Sequence, residues 1–404
     1  MSLISRYVVS NKGRVLSIVH SHVGMIIGRS MSSGGDRVNE DLIAKSVFIS
    51  QSKDIFTNLA LEDWLYRNYD FKNHHVLLLW RNDPCVVIGR HQNPWIEANI
   101  QGLEEQGIAM ARRNSGGGTV YHDSGNLNLS FFTPKERYNR RYNLEIITRA
   151  LYREWGLRSD INQREDIVVN GNLKVSGTAA KLGRPNAYHH CTLLVNVNKE
   201  NLRMALEKKE TGISHSKATE STRSPVKNLS EINGRVTTDA LMSAVGWEYL
   251  RTMAMTLEDG GHSLVQKQKG FQMINPTEQW FPGLDKLKDD FQSWEWNYGR
   301  CPKFTVTRDL KIPADSTNST DNGPFHQLKL TLEVKNGIVE DIKLSLPPDV
   351  LSNAASQDAS VITHLRGAKY DHDITEKIIS ALGCTSVPLD ATQSANISNM
   401  AATQ

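Results

Sequence analysis

The chain has 404 residues, 39% hydrophobic and 23% charged, with a net charge of +3, enough for about two globular domains that each bury a core. So small a charge excludes a globally basic nucleic-acid protein, and no apolar run approaches the roughly 20 residues of a membrane span. Cys85, Cys191, Cys301 and Cys384 stand far apart without Cys-x-x-Cys or metal-ligand spacing, which points to free thiols in a reducing compartment, no disulfide framework and no bound metal.

Residues 1–35 contain Arg6, Lys12, Arg14 and Arg29, many serines, and no acid before Asp36. That is the composition of a mitochondrial transit peptide, excluded from the fold. The spacing of Leu59, Ala60 and Trp64 predicts a helix over 55–69. Two buried strands, 75–80 and 85–89, flank Asn82-Asp83-Pro84, and Asn93-Pro94 opens a helix that Gly107 ends. His91, in GRHQNPW, borders whatever these strands form, and a lone histidine there reads as a hydrogen-bonded structural residue.

The most informative stretch is RRNSGGGTVYHDSGNLNLSFF, Arg112 to Phe132. A short strand over 108–112 enters three glycines, and a strand over 126–132 leaves them, with Leu127, Leu129 and Phe131 on one face. Gly116, Gly117 and Gly118 lack a Cβ, so successive backbone N–H groups can converge on an anion beside Arg112 and Arg113. A phosphate-bearing ligand is the expected occupant; a plain flexible hairpin loop is the alternative.

A helical face, Leu144, Ile147, Leu151 and Trp155, precedes DIVVNGNLKVSGTAAK. Asn170-Gly171 there is a strong hairpin signal. A two-residue turn puts Leu173 and Val175 toward the core and Asn172, Lys174 and Ser176 on the other side. In the next strand, 188–197, Cys191 shares parity with Leu193, Val195 and Val197, so it reads as core rather than nucleophile. A polar segment over 208–227 suits a lid or a loop and precedes a helix near 238–253. After about Ser293, Leu328 to Val334 and Ile342 to Leu346 alternate around Asn336-Gly337, giving a hairpin of a second domain, followed by a short helix over 374–382 and a tail too polar to fold.

Together RRNSGGGTVYHDSGNLNLSFF, GRHQNPW, KVSGTAAKLG and AYHHCTLLVNV resemble the lipoate-protein ligase A family, from about Gln51 to Phe304. The resemblance implies an α+β fold: a mixed-sheet biotin/lipoate ligase-like catalytic domain over 45–285 and a small α+β accessory domain over 293–384, whose start WEWNYGRCPKF resembles, with a disordered tail over 385–404. It also implies a lipoyltransferase in the mitochondrial matrix. The lipoyl group passes from lipoyl-AMP, or from a lipoylated donor such as the glycine-cleavage H protein, to a lysine on carrier domains of 2-oxoacid dehydrogenase complexes. A monomer without nucleic-acid or membrane partners is expected.

Residue by residue, the resemblance makes Lys174 the catalytic ammonium that bridges the carbonyl and phosphate oxygens of lipoyl-AMP. It places Tyr121, Arg164 and Thr192 at lipoyl-AMP contacts, and Thr222 and Ser224 in a segment that closes over the nucleotide. Arg113 is expected at the lipoyl or phosphate end, beside the donors of Gly116, Gly117 and Gly118. Alternatives are an ATP-dependent ligase that makes its own adenylate, a transferase carrying the acyl group on Cys191, and a non-catalytic carrier-binding assembly factor. Biotin ligation is disfavoured, because SGGG stands where those enzymes have an arginine-glycine-arginine loop.

Overall fold

The computed structural model describes residues 43–208, 212–222, 224–313, 325–345, 365–381 and 385–386. The leader at 1–35, Cys384, Leu346 and residues 387–404 lie outside the described residues. Two compact units are interleaved along the chain. The first takes the described residues up to Asp83 with Ser124–Asn196 and Pro225–Asp289; the second takes Pro84–Asp123, Val197–Ser224 and the described residues from Asp290 on. The glycine loop thus packs in one unit with the C-terminal strands, a grouping different from a division at 285–293.

Elements are numbered along the whole chain. In the first unit β1 (Ala44–Ser50), β2 (His74–Trp80), β6 (Asn126–Pro134), β10 (Ser176–Leu182), β11 (Asn186–Leu194) and β13 (Gly270–Ile274) form one mixed sheet in the order β10-β11-β6-β2-β1-β13. Strand β1 runs parallel to β2 and β13, and the remaining pairs are antiparallel. Alternation decides the two faces. Leu127, Leu129, Phe131, Cys191 and Leu193 pack with α4 (Arg140–Trp155) and α6 (Thr238–Arg251) in the main core. Asn139 caps α4 by accepting from the Tyr142 N–H, and Gly156 ends it in the left-handed region at φ 64°.

The opposite parity, Ser130, His190 and Tyr188, meets α1 (Ile55–Asn68). There the buried Glu62 accepts from Ser130 Oγ at 2.5 Å and lies 2.9 Å from His190 Nδ1. Burial pushes the Glu62 pKa up, but His190 and these hydrogen bonds outweigh it and hold the carboxyl below its ordinary range. Helix α7 (Gly261–Lys267) completes this unit, and α8 (Leu284–Gln292) carries the chain into the second.

A three-stranded sheet of β7 (Asp160–Ile161), β8 (Ile167–Val169) and β9 (Leu173–Lys174) holds the Asn-Gly hairpin. Asn170 and Gly171 both have positive φ, 48° and 90°. Val169 pairs with Leu173, so the loop has Asn172 as an extra residue beyond the expected two-residue turn. Leu173 and Val175 still face the core, and Lys174, opposite Val168, takes the other side. Ser176 departs from the expected parity. The ladder breaks at Val175, and Ser176 restarts it opposite the core residue Leu193, its Oγ accepting from the Ile167 N–H at 2.7 Å.

In the second unit β3 (Cys85–Ile88) lies between β4 (Ala109–Arg112), parallel to it, and β5 (Val120–His122), antiparallel to it. Strands β2 and β3 flank Asn82-Asp83-Pro84 yet belong to different sheets. The helix expected from Asn93 to Gly107 is two, α2 (Pro94–Glu97) and α3 (Ile100–Glu105), because Asn99 acts as a second N-cap and accepts from the Gly102 N–H. Helix α5 (Lys199–Ala205) follows.

A second sheet joins β12 (Ile213–Ser214), β14 (Phe304–Pro313), β15 (Phe325–Lys335) and β16 (Ile338–Ser345). Asn336 and Gly337, at φ 52° and 70°, make the two-residue turn between β15 and β16 that type I′ geometry requires. Leu328, Leu330, Leu332 and Val334 bury against Phe304, Trp95 and the inner face of α10 (His372–Ala381). Thr385 and Ser386, expected in the disordered tail, form β17 against Leu310 and Lys311 of β14. Helix α9 (Trp294–Asn297) is the remaining element of this unit.

Candidate active site

The residues singled out from the sequence fall into two groups. Arg164, Lys174 and Thr192 belong to the first unit; Arg113, Gly116, Gly117, Gly118, Tyr121, Thr222 and Ser224 belong to the second.

In the first unit Lys174 is the end residue of β9, and its backbone is fixed on both sides. Its N–H donates to Pro225 O at 2.9 Å, and its carbonyl accepts from the Lys227 N–H at 2.9 Å. The side chain remains 24% exposed, with Nζ 2.9 Å from Asp166 Oδ1. Nothing in the sequence marks Asp166: it follows Glu165 directly, and acids before an apolar run are ordinary. Thr192 is buried on the face of β11 opposite the core, and its Oγ1 accepts from the Gly177 N–H at 3.1 Å. Arg164 is exposed and donates its backbone N–H to Asn162 Oδ1.

Cys191 is fully buried among Leu129, Leu193 and Val195. Burial pushes its thiol well above the ordinary range, the reverse of what a nucleophilic thiolate needs. Cys191→Ala is expected to retain lipoyl-transfer activity within about threefold, with a stability loss of about 1 kcal/mol for the deleted sulfur. A carrier mass-shift assay and a thermal melt check it, and abolished transfer by a folded variant would reverse the assignment.

In the second unit the glycine loop is built from inside by arginines. Arg113, 3% exposed, donates through Nη2 to Gly116 O at 2.6 Å and Gly118 O at 2.7 Å, and through Nη1 to Val87 O at 3.1 Å. Its position is therefore that of a clamp on the loop carbonyls, different from the ligand-facing one expected. Arg112 is fully buried and makes no ligand-facing surface at all. Its guanidinium donates to the carbonyls of Gly89, Arg90, Gln92, Trp296 and Asn297. Burial lowers its pKa to about 10, which leaves it charged at neutral pH.

The loop is open at Gly116 and closely covered at Gly118. Nothing lies within 4 Å of a Cβ built on Gly116, and Gly117 takes φ 86°, a conformation glycine adopts without strain. A Cβ on Gly118 would meet Ser221 Oγ at 3.0 Å, so the polar segment lies directly against the loop.

That contact is organised by Gln92, which adjoins His91 and which no spacing in the sequence marks. Fully buried, Gln92 accepts through Oε1 from the Gly89 N–H at 2.7 Å and Thr119 Oγ1 at 2.9 Å. It donates through Nε2 to Ser221 Oγ at 2.9 Å. Ser221 Oγ also accepts from the Thr119 N–H at 2.8 Å, and the Ser221 N–H donates to Glu97 Oε1 at 3.2 Å. One amide thus fastens the polar segment to the glycine loop. Thr222, next along, is exposed, and Ser224 is half-buried. Tyr121 is buried on β5, and burial raises its phenol pKa. Among the described residues no group of three or more His, Cys, Asp and Glu is placed to hold a metal ion.

In the second unit the glycine loop has a polar segment latched to it, and in the first a fixed ammonium lies beside a carboxylate; each is a kind of group that anionic oxygens can meet. The model of the lipoyl protein ligase A/B catalytic domain matches residues 54–249. The chain is 42% identical over 300 residues to the mitochondrial lipoyl amidotransferase of Mus musculus, covering 74% of this chain and 75% of that one. It is 39% identical to the Homo sapiens counterpart, covering 77% of each. The crystal structure of P. falciparum LipL1 in complex with lipoate superposes with a TM-score of 0.53 at 25% identity, over 87% of this chain and 97% of that one. With an α+β architecture of mixed sheets and extended likeness over three quarters of its length, the chain belongs to the family of lipoate-protein ligases and lipoyl amidotransferases.

Proposed function

We propose that the chain is a mitochondrial lipoyl amidotransferase, acting in the matrix, that takes the lipoyl group from lipoyl-AMP and forms an amide with a lysine of a carrier domain. The carrier amine attacks the acyl carbon, a C–N bond forms, and the C–O bond to phosphate breaks. AMP leaves with the bonding pair, and the amine proton passes to water. Lys174 stabilises the charge that moves onto the carbonyl and phosphate oxygens. Gly116, Gly117 and Gly118 present backbone N–H groups to the adenylate, Arg113 holds their shape, and Tyr121, Arg164, Thr192, Thr222 and Ser224 contact the ligand. The proposed functional boundaries are a catalytic region over 45–285 and an accessory region over 293–384.

The observation that carries this reading is the constrained strand at Lys174, inside the family-matched span, whose ammonium is partly open to solvent and spends one hydrogen bond on Asp166. Carrier domains of 2-oxoacid dehydrogenase acyltransferase subunits are the proposed acceptors, a lipoylated protein such as the glycine-cleavage H protein an additional donor, and the working state is a monomer.

Mass spectrometry of a carrier domain incubated with the chain separates this reading from that of a complete ligase. Preformed lipoyl-AMP is expected to lipoylate the carrier much faster than lipoate with ATP and magnesium does. Equal rates from both would assign the chain as an ATP-dependent ligase instead.

A further inference from the structure

Lys174 is not a free ammonium on an open face, as strand parity suggested. Its Nζ lies 2.9 Å from Asp166 Oδ1, and the Asp166 side chain is only 9% exposed. Both partners are held by backbone structure independent of the pair. Asp166 ends a tight turn in which Asn162 Oδ1 accepts from the N–H groups of Arg164 at 2.9 Å and Asp166 at 3.0 Å. The Asn162 N–H closes the turn on Asp166 O at 3.0 Å, and Glu165 between them sits in the left-handed region at φ 59°. Lys174 is fixed by its bonds to Pro225 and Lys227. With both ends anchored, the long lysine side chain loses little further freedom when it meets the ligand.

An exposed ion pair would mean little, because solvent screens it. This one has a largely buried carboxylate, and a buried charge is retained at a cost that its partner must offset. An ammonium carries three N–H donors. Asp166 takes one, and no other polar atom of the described residues bonds Nζ. Two donors therefore remain, matching the two oxygens, carbonyl and phosphate, that an acyl-adenylate presents.

We propose that Asp166 is a positioning residue for acyl transfer: it pins the Lys174 ammonium and leaves two N–H groups for the mixed anhydride. The proposal rests on the role given to Lys174 above. Its charge also sets a sign. A carboxylate near an anionic ligand repels it, so removing the charge does not weaken ground-state binding, while the ammonium loses its fixed place in the transition state.

The test is steady-state transfer from preformed lipoyl-AMP to a carrier domain, using the full chain with Asp166→Asn, Asp166→Ala, Asp166→Glu and Lys174→Ala. Asp166→Asn is expected to lower kcat about 10- to 100-fold, with KM for lipoyl-AMP unchanged or lower. Asp166→Ala falls further, and Asp166→Glu recovers to within about tenfold of the parent. A kcat within twofold of the parent in Asp166→Asn overturns the proposal, as does a loss shared between a raised KM and a lowered melting temperature. Should Asp166→Asn fail to fold, Asp166→Ala decides: reduced kcat at parental KM supports positioning, and parental kcat overturns it. An active Lys174→Ala overturns the underlying reading, whatever Asp166 does. An inactive Lys174→Ala beside a fully active Asp166→Asn overturns the positioning role alone.

Discussion

Replacing Lys174 by alanine is expected to lower lipoyl transfer by about a thousandfold while leaving the chain folded. Removing a single donor aimed at developing oxyanion charge typically costs about 100- to 1000-fold, and Lys174 serves two oxygens of the proposed adenylate. The lysine is 24% exposed and its backbone bonds to Pro225 and Lys227 survive any side chain but proline, so the cost to folding is that of the largely buried Asp166 carboxylate left unpaired, read as a lowered melting temperature. Lys174→Arg keeps the charge but substitutes a planar fork for a compact ammonium, so only a small part of the activity returns. The measurement is the carrier mass shift from preformed lipoyl-AMP, alongside circular dichroism of each variant. More than a tenth of parental activity in Lys174→Ala would remove this residue from the chemistry.

Arg112 is the position where substitution is expected to cost the most stability. Its guanidinium is sealed in a cage of carbonyl oxygens from Gly89, Arg90 and Gln92 on one side of the chain and Trp296 and Asn297 on the other. Its backbone joins the same cage: the Arg112 N–H donates to Asn297 Oδ1 at 2.7 Å, and the Trp296 Nε1–H donates to Arg112 O at 2.7 Å. Arg112→Leu leaves several buried carbonyls without donors, each costing about 1 kcal/mol or more. A loss of about 3–5 kcal/mol is expected from the denaturant midpoint. Arg112→Lys, with three donors for the same cage, restores only part of it. Amide exchange should rise together in 89–92 and 294–297, the two segments the guanidinium ties. A loss below about 1 kcal/mol would mean that water replaces these bonds.

Much was legible in the sequence because it is local. Asn93 acts at a helix start through a bond to a neighbour two residues away. Asn336-Gly337 imposes its turn through two backbone angles. Parity sent Cys191 and Leu193 to the core and Thr192 and His190 to the other face, since side chains alternate along any strand. The same arithmetic put Lys174 on the face away from Leu173. It failed one step later at Ser176, where a break in the ladder ends the alternation.

Charge partners and long-range hydrogen bonds were not legible, since no spacing rule links residues far apart in the chain. Arg112 and Arg113 read as anion ligands because arginines beside glycines often are; packing instead supplied carbonyls from Trp296 and Asn297, 184 and 185 residues away, and turned Arg112 into a structural tie. In sequence Gln92 is only an amide in a loop, yet its bond to Ser221, 129 residues on, makes it the latch of the polar segment. The sequence alone determined the glycine loop, the hairpin, the lysine and the family they belong to, all carried in contiguous motifs. Only the tertiary structure decided that Asp166 meets Lys174 and that the loop packs with the C-terminal strands, because desolvated charges and buried carbonyls must find partners wherever the fold brings them.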